Sequence, residues 1–413
     1  MDPIAPRGGV LRVESVSAQT LARRFGTPLY AYSSRAVLDR LEALRGAFTR
    51  RTPLICYALK ANSNRAVCGL LARAGAGADI VSRGELGRAL RAGFAPSKVV
   101  FSGVGKTEEE MAAGLRAGLL TFNVESSEEL DALARVAGRL KRRAPISVRL
   151  NPDVDAGTHP HITTGRARNK FGVETGEALA LYRRAAKDKR LRIVGVQCHI
   201  GSQIVAVAPY RRAAASVART VSRLQTMGIR LSHIDVGGGI GITYKDETPL
   251  PLKALARALE ETFAPWPDAQ LMLEPGRYLV ADAGILLTRV LYRKQTTARR
   301  FVIVDAAMTD LARPALYDAW HPVEAVKPRR GRATVVDVVG PVCESGDFLA
   351  RGRSLPPLER GDLLAVRKAG AYGFAMSSQY NSRPRAAEVL VAGGNARLVR
   401  RRETLKDLDA AEL

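Results

Sequence analysis

The sequence predicts a (β/α)8 barrel of the TIM type joined to a C-terminal β domain that includes the N-terminal strand. Three observations predict it. Eight short, apolar, β-branched runs recur along the first two thirds of the chain, and stretches with helical spacing separate them. After Ala283 the pattern changes to strand-like runs with turn signals and little helix. The expected domains are residues 1–33, which join the β domain, 34–282, the barrel, and 283–413, the β domain.

In chain order, Val10 to Val16 alternates as a strand does, Ala18 to Phe25 reads as a short helix stopped by Gly26, and Pro28 to Tyr32 is extended. The buried parallel strands are Leu54 to Leu59, Ala78 to Val81, Val99 to Ser102, Leu120 to Val124, Ile146 to Leu150, Ile193 to Ile200, His233 to Val236 and Leu271 to Leu273. Between them, Glu85 to Arg91, Glu108 to Ala117, Glu128 to Leu140, Ala178 to Ala186, Tyr210 to Met227 and Leu252 to Phe263 carry helical spacing. Strand and helix in alternation imply a parallel sheet, and eight such units close into a barrel. An open doubly wound sheet would need a glycine-rich dinucleotide turn after its first strand, and Lys60-Ala-Asn-Ser is not one. In the β domain the expected strands are Leu286 to Tyr292, Phe301 to Val304, Thr334 to Val339, Leu363 to Val366 and Glu388 to Val391. The connections Thr309 to Arg332 and Cys343 to Pro357 exceed the usual length and are expected to be functional loops.

The composition sets limits on function. A chain of 413 residues with 46% hydrophobic residues builds a large core. The start lacks a basic region followed by an apolar core, and Arg289 interrupts the run Ile285 to Leu291, so a cytoplasmic protein without membrane spans is expected. The formal charge of +24 raises the question of nucleic acid. The basic residues are scattered, however, with no aromatic residues interleaved for base stacking, so solvated faces are expected instead. Four cysteines without a Cys-x-x-Cys spacing read as free thiols, and no metal is expected.

The chemistry is read at the strand ends, where barrels place their working residues. Lys60 closes the first barrel strand, and desolvation there favours the neutral amine that attacks carbonyls. Taken alone it is more often a solvated strand-end lysine. His199 ends the sixth strand, Gly237-Gly238-Gly239 follows the seventh, and Glu274-Pro-Gly-Arg277 follows the eighth. Three glycines let the backbone approach an anion and aim several N–H groups at it, with Gly276 and Arg277 to close the other side, on the loops where barrels hold phosphate. An imine-forming lysine, a phosphate cradle and a carboxylate match the needs of pyridoxal phosphate, with Glu274 against the ring nitrogen and His199 against the ring.

Beyond this, the chain resembles the diaminopimelate decarboxylase family of fold-type III, alanine-racemase-like pyridoxal-phosphate enzymes, over nearly its whole length. The resemblance is carried by Tyr57-Ala-Leu-Lys60-Ala-Asn62, Asn169-Lys-Phe-Gly172, His199-Ile-Gly-Ser-Gln203, Asp235-Val-Gly-Gly-Gly239 and Glu274-Pro-Gly-Arg277. More specific are Arg313-Pro-Ala-Leu-Tyr317, Gly340-Pro-Val-Cys-Glu-Ser-Gly-Asp347 and Ala369-Gly-Ala-Tyr372. It implies that Lys60 bears pyridoxal 5'-phosphate, His199 stacks on it and Glu274 meets its nitrogen, while Gly238, Gly239, Gly276, Arg277 and Tyr372 hold its phosphate. It further implies that Arg277, Arg313, Tyr317 and Tyr372 bind the substrate, Glu344 takes its distal ammonium, and Cys343 supplies the proton that replaces the lost carboxyl. The implied reaction turns meso-2,6-diaminopimelate into L-lysine and CO2, in a homodimer with shared active sites. A related decarboxylase of ornithine, lysine or another basic amino acid is the alternative, and the Arg313 segment, which such an enzyme does not need, separates the two. A pyridoxal-homeostasis protein would lack the Cys343 to Tyr372 region. Arg83 stands where glycine is more usual, a local departure after the second barrel strand.

Overall fold

A computed structural model describes residues 2–155 and 169–413. The chain divides into two compact units, one of Met1–Arg40, Thr243–Glu247 and Leu279–Leu413, the other of Leu41–Ile242 and Thr248–Tyr278. In chain order the strands are β1 (Ile4–Arg7), β2 (Val10–Val13), β3 (Val16–Ser17), β4 (Leu29–Ser33), β5 (Leu54–Ala58), β6 (Gly77–Ile80), β7 (Val99–Phe101), β8 (Thr121–Val124), β9 (Ala144–Leu150) and β10 (Leu191–Cys198). They continue as β11 (His233–Asp235), β12 (Gln270–Leu273), β13 (Gly284–Gln295), β14 (Arg300–Val304), β15 (Val323–Ala325), β16 (Thr334–Val339), β17 (Phe348–Leu355), β18 (Leu363–Val366), β19 (Ala387–Ala392) and β20 (Asn395–Arg400).

In the second unit β5 to β12 pair in sequence and in parallel, and β12 returns to β5 through Met272 opposite Leu54 and Leu273 opposite Ile55. The eight-stranded closed barrel is therefore borne out. Nearly every residue of its strands is buried, as expected where a sheet is covered on both faces, which is why the runs read as continuously apolar. The first four α-helices after β5 start on side-chain caps. Asn64, Ser82 and Ser126 each accept an N–H of the first turn, and Thr107 with Glu110 forms a capping box. These caps fix the strand-to-helix turns that form the mouth of the barrel.

The first unit is built on a nine-stranded sheet with the path β17-β16-β14-β13-β4-β19-β20, plus β18 beside β13 and β15 beside β18. The N-terminal strand β4 lies at its centre, antiparallel to β13 and parallel to β19, so the expected role of the N-terminal segment is borne out. Its core joins Ile4, Leu11, Leu21, Leu29 and Ala31 from the N-terminus to Ile285, Leu287, Ala365 and Val389. Two expectations need correction. Val10 to Val16 is not one strand but two, broken at Glu14 (φ 51°), whose carboxylate accepts from Ser33 and Ser34 hydroxyls at 2.8 and 3.1 Å. The long connections are not plain loops: Thr309 to Arg332 carries the short helix Arg313–Tyr317 and β15, and Cys343 to Pro357 contains β17. No helix among the described residues is long and apolar enough to cross a membrane.

Candidate active site

In the barrel unit, Lys60 sits in a single 3-10 turn directly after β5. The turn is held from below, with the Tyr57 hydroxyl donating to the Asn62 carbonyl at 2.9 Å and the Asn62 side chain accepting from Asn64 N–H at 3.0 Å. Lys60 Nζ lies 2.8 Å from Asp79 Oδ2 on the neighbouring strand β6, and the lysine side chain is 40% exposed while that of Asp79 is fully buried. The buried carboxylate aims the half-exposed amine toward the barrel mouth.

Glu274, at the end of β12, is buried, with the Gln197 amide donating to Oε2 at 2.9 Å and the Asn123 amide near Oε1 at 3.4 Å. Burial pushes its carboxyl well above the usual range, and the charges of Asp235 and Asp79 push the same way. Asp235, on β11, is itself raised to about 7 by burial. His199 follows β10, and its Nδ1 accepts the Gly238 N–H at 3.1 Å, so a neutral ring carries its proton on Nε2. Desolvation, then the positive charges of Arg149 and Lys60, hold it well below the usual histidine range.

The glycine run differs from its expected use. Gly237 donates to Asp235 Oδ1 at 2.8 Å and Gly238 to His199, so these two N–H groups serve the protein's own side chains instead of pointing together at an anion. What the run does provide is closeness. A Cβ on Gly238 would stand 2.0 Å from the Glu274 carbonyl oxygen, and one on Gly239, whose φ is +91°, would stand 2.3 Å from that of Gly201. Gly276 fits against Ala58 and Ala61, 3.1–3.2 Å from where its Cβ would lie. Arg277 is buried and reaches Ser202 Oγ at 3.1 Å. These residues fit pyridoxal phosphate: an amine, a carboxylate of raised pKa for a ring nitrogen, and a tight glycine-lined cradle beside a buried guanidinium. Buried acceptor oxygens on Asp79 (Oδ1), Asn123 (Oδ1) and Gln197 (Oε1) have no hydrogen-bond partner among the described residues, which suits a cationic or donor-bearing guest.

Sequence reasoning missed several residues here. Asp79 and Arg149 each lie in a strand read only as apolar, and a lone buried charge in such a run was the available signal. Arg149 pairs with Glu125 at 2.9 Å and covers the Phe171 ring, and Glu125 also accepts Gly172 N–H at 3.1 Å. The Asn169 to Gly172 motif is thereby tied to the ends of β8 and β9. Lys106 extends this buried network to Glu129 at 2.6 Å. Arg83 opens the helix Arg83–Ala92, exposed, with its N–H on Glu110 Oε1 at 2.8 Å.

The β unit holds the remaining expected residues. Arg313 begins the short helix Arg313–Tyr317 and is buried among Tyr244 and His321, while Tyr317 is half-buried at its end. Cys343 and Glu344 are both exposed. They lie on a turn organised by Asp347, whose carboxylate accepts Val342 N–H at 2.7 Å and Met308 N–H at 2.6 Å. The Cys343 N–H donates to Asn381 Oδ1 at 3.0 Å, and Glu344 accepts from the Tyr380 hydroxyl, which raises that phenol's pKa. Tyr372 is half-buried with a left-handed backbone (φ 56°).

Known proteins match this architecture along its length. The family described as pyridoxal-dependent decarboxylase, pyridoxal binding domain, matches residues 34–281. A diaminopimelate decarboxylase of Pseudomonas aeruginosa is 52% identical over 412 residues, covering 100% of this chain and 99% of its own. The crystal structure of diaminopimelate decarboxylase from Helicobacter pylori complexed with L-lysine superposes with a TM-score of 0.92 at 44% identity, over 95% of this chain and 98% of that one. The M. jannaschii enzyme in co-complex with L-lysine gives 0.94 at 38% identity, over 99% and 97%.

Proposed function

The chain belongs to the pyridoxal-dependent decarboxylases, and from that premise we propose that it converts meso-2,6-diaminopimelate to L-lysine and CO2, the last step of lysine biosynthesis. The observation that carries this reading is likeness over the full length: it spans the Arg313 and Cys343 segments of the β unit as well as the barrel.

Pyridoxal phosphate, when bound, supplies an electron-accepting ring that stabilises the carbanion left by departing CO2. The chain's own residues do the rest. Lys60, paired with Asp79, presents the amine that holds the cofactor. Glu274, whose carboxyl burial pushes well above the usual range, would face the ring nitrogen and balance the charge there. His199, held in its neutral form by desolvation, would meet the ring without adding a positive charge beside it. Gly239, Gly276, Arg277 and Tyr372 would hold the phosphate, and Gly238, whose N–H serves His199, would line the cradle through its lack of a side chain.

Arg313, with Arg277, Tyr317 and Tyr372, grips substrate carboxylates through a planar fork suited to them, and Glu344 takes the distal ammonium. Cys343 gives its thiol proton to the carbon that lost CO2, and solvent reprotonates the thiolate. We further propose a homodimer in which Cys343 and Glu344 complete the partner's site. Their exposure in the single chain and the dominance of two-fold assemblies support this. We divide the chain functionally into a cofactor domain at 34–282 and a β domain of 283–413 with 1–33, and place it in the cytoplasm, where the four free cysteines stay reduced.

The test is CO2 release by purified protein with added pyridoxal phosphate from meso-diaminopimelate, ornithine and lysine. Release from the first alone is expected. Release from ornithine or lysine but not from diaminopimelate would instead assign the chain to the basic amino-acid decarboxylases.

A further inference from the structure

We propose that His321 is a positioning residue for substrate specificity: it fixes the guanidinium of Arg313, and so sets how tightly the far carboxylate of the substrate is held. The inference rests on the reading of Arg313 given above and adds the group through which that arginine is aimed.

The geometry is specific. His321 is fully buried, and its Nδ1 lies 2.9 Å from the backbone carbonyl of Arg367. A carbonyl only accepts, so the hydrogen-bond network assigns the ring proton to Nδ1. Nε2 is then a lone pair, and it receives Arg313 Nη1 at 2.7 Å. The same Nη1 donates to the Tyr244 hydroxyl at 3.0 Å. Nη1 has two hydrogens, and these two acceptors engage both, which fixes the orientation of the guanidinium. The ring of Tyr244 lies under the guanidinium carbon, 4.8 Å from centroid to carbon, and meets the His321 ring edge-on at 5.2 Å and 74°.

The anchor behind His321 is itself held. Arg367 reaches Glu324 at 2.7 Å and the Ile4 carbonyl at 2.6 Å, and its N–H donates to the Pro322 carbonyl at 2.8 Å. A protonated His321 would set N–H against N–H and place two cations within one hydrogen-bond length, so the arrangement requires the neutral ring. This is more than packing requires. An apolar side chain would fill the same volume, but it would leave Arg313 without an acceptor at that point.

Two substitutions separate positioning of Arg313 from simple anchoring of the Arg367 carbonyl. His321→Gln places an amide oxygen near the Nε2 position and keeps an acceptor for Arg313. His321→Asn keeps only a donor near the Nδ1 position. In the holoenzyme, His321→Asn is expected to raise KM for meso-diaminopimelate about tenfold, the scale of one charge-assisted hydrogen bond, with kcat within about twofold. His321→Gln should stay within about threefold of the parent KM. The reverse order, an equal loss in both, or no change in either overturns the proposal.

A readout without substitution guards against poor folding: 15N spectra of histidine-labelled protein at neutral pH should show a buried, neutral Nδ1–H imidazole at His321. An imidazolium or an Nε2–H ring there overturns it as well. Arg313→Ala keeps the two levels apart. If Arg313→Ala leaves KM unchanged, the reading of Arg313 itself fails. A large effect of Arg313→Ala with a silent His321→Asn overturns only the role of His321.

Discussion

The barrel unit and the β unit keep their carboxylates in different settings: those around the half-exposed Lys60 are buried, whereas Glu344 faces solvent beside the Cys343 thiol. In the barrel, Glu274, Asp235, Asp79, Arg277 and the pair Lys106–Glu129 are buried, and the protein supplies their electrostatic environment. In the β unit, the thiol of Cys343 and the carboxylate of Glu344 face solvent, on a turn whose backbone is firmly bonded to Asp347 and Asn381. A group that must shift a proton or a cofactor's charge needs a low-dielectric setting built in advance. A group that meets a substrate which enters and leaves can stay at the surface until a docking surface covers it.

The strongest way to break this comparison is at the barrel's amine. Lys60→Ala is expected to lower kcat/KM by at least about a thousandfold, the usual scale for a lost covalent catalyst. Borohydride reduction of the parent should fix the cofactor on Lys60, and label on a different lysine after digestion would reject the assignment. Next, mixing inactive Lys60→Ala and Cys343→Ala chains tests whether the exposed thiol serves another chain. Random reassortment into shared-site dimers would restore about a quarter of parent activity, whereas sites built within single chains would restore none.

Arg313→Ala should raise KM for diaminopimelate about 10- to 100-fold and leave cofactor affinity unchanged, as expected for a lost carboxylate contact. A matched fall in cofactor binding would blur the division between the units. The smallest effect sharpens the comparison from the other side, because the β unit also buries a carboxyl. Burial pushes Asp310 up to about 7, against the opposing Ala307 N–H bond at 2.9 Å and the Arg383 charge. Between an unfolded value of about 3.9 and that folded value, the native state holds a proton the unfolded chain has released, so stability falls as pH rises through this window, by about 2–4 kcal/mol. Asp310→Asn keeps an acceptor for Ala307 and removes the titration. Its melting temperature should gain on the parent from pH 5 to pH 8, and parallel pH profiles would refute this.

The barrel was legible because each of its strands is covered on both faces and so is written in uninterrupted apolar residues. The strands that sequence reading missed are those with a different physical duty. β17 and β20 form the two ends of the sheet path and carry arginines along Phe348–Leu355 and Asn395–Arg400, while β1 ends its three-stranded sheet and contains Pro6. Edge strands avoid the apolar pattern by which central ones are recognised. In the site, lysine and glycine motifs marked the barrel mouth, but the number of glycines did not reveal that Asp235 and His199 engage two of their N–H groups. Tyr244 and His321 carry no signal along the chain. One follows a barrel strand and the other precedes a proline, and only the folded β unit brings both to Arg313.

The central place of β4 has a consequence for how the protein is made. Residues Leu29–Ser33, all buried in the finished sheet, leave the ribosome early, yet their first partner, in β13, follows roughly 250 residues later and the second, in β19, roughly 350 residues later. At the usual 5–20 residues per second this strand waits about 20 to 70 s with an apolar edge uncovered, while the barrel segments that separate it from its partners are being translated. A pause in translation before β13 would leave both edges of β4 uncovered, and one before β19 would leave a single edge open.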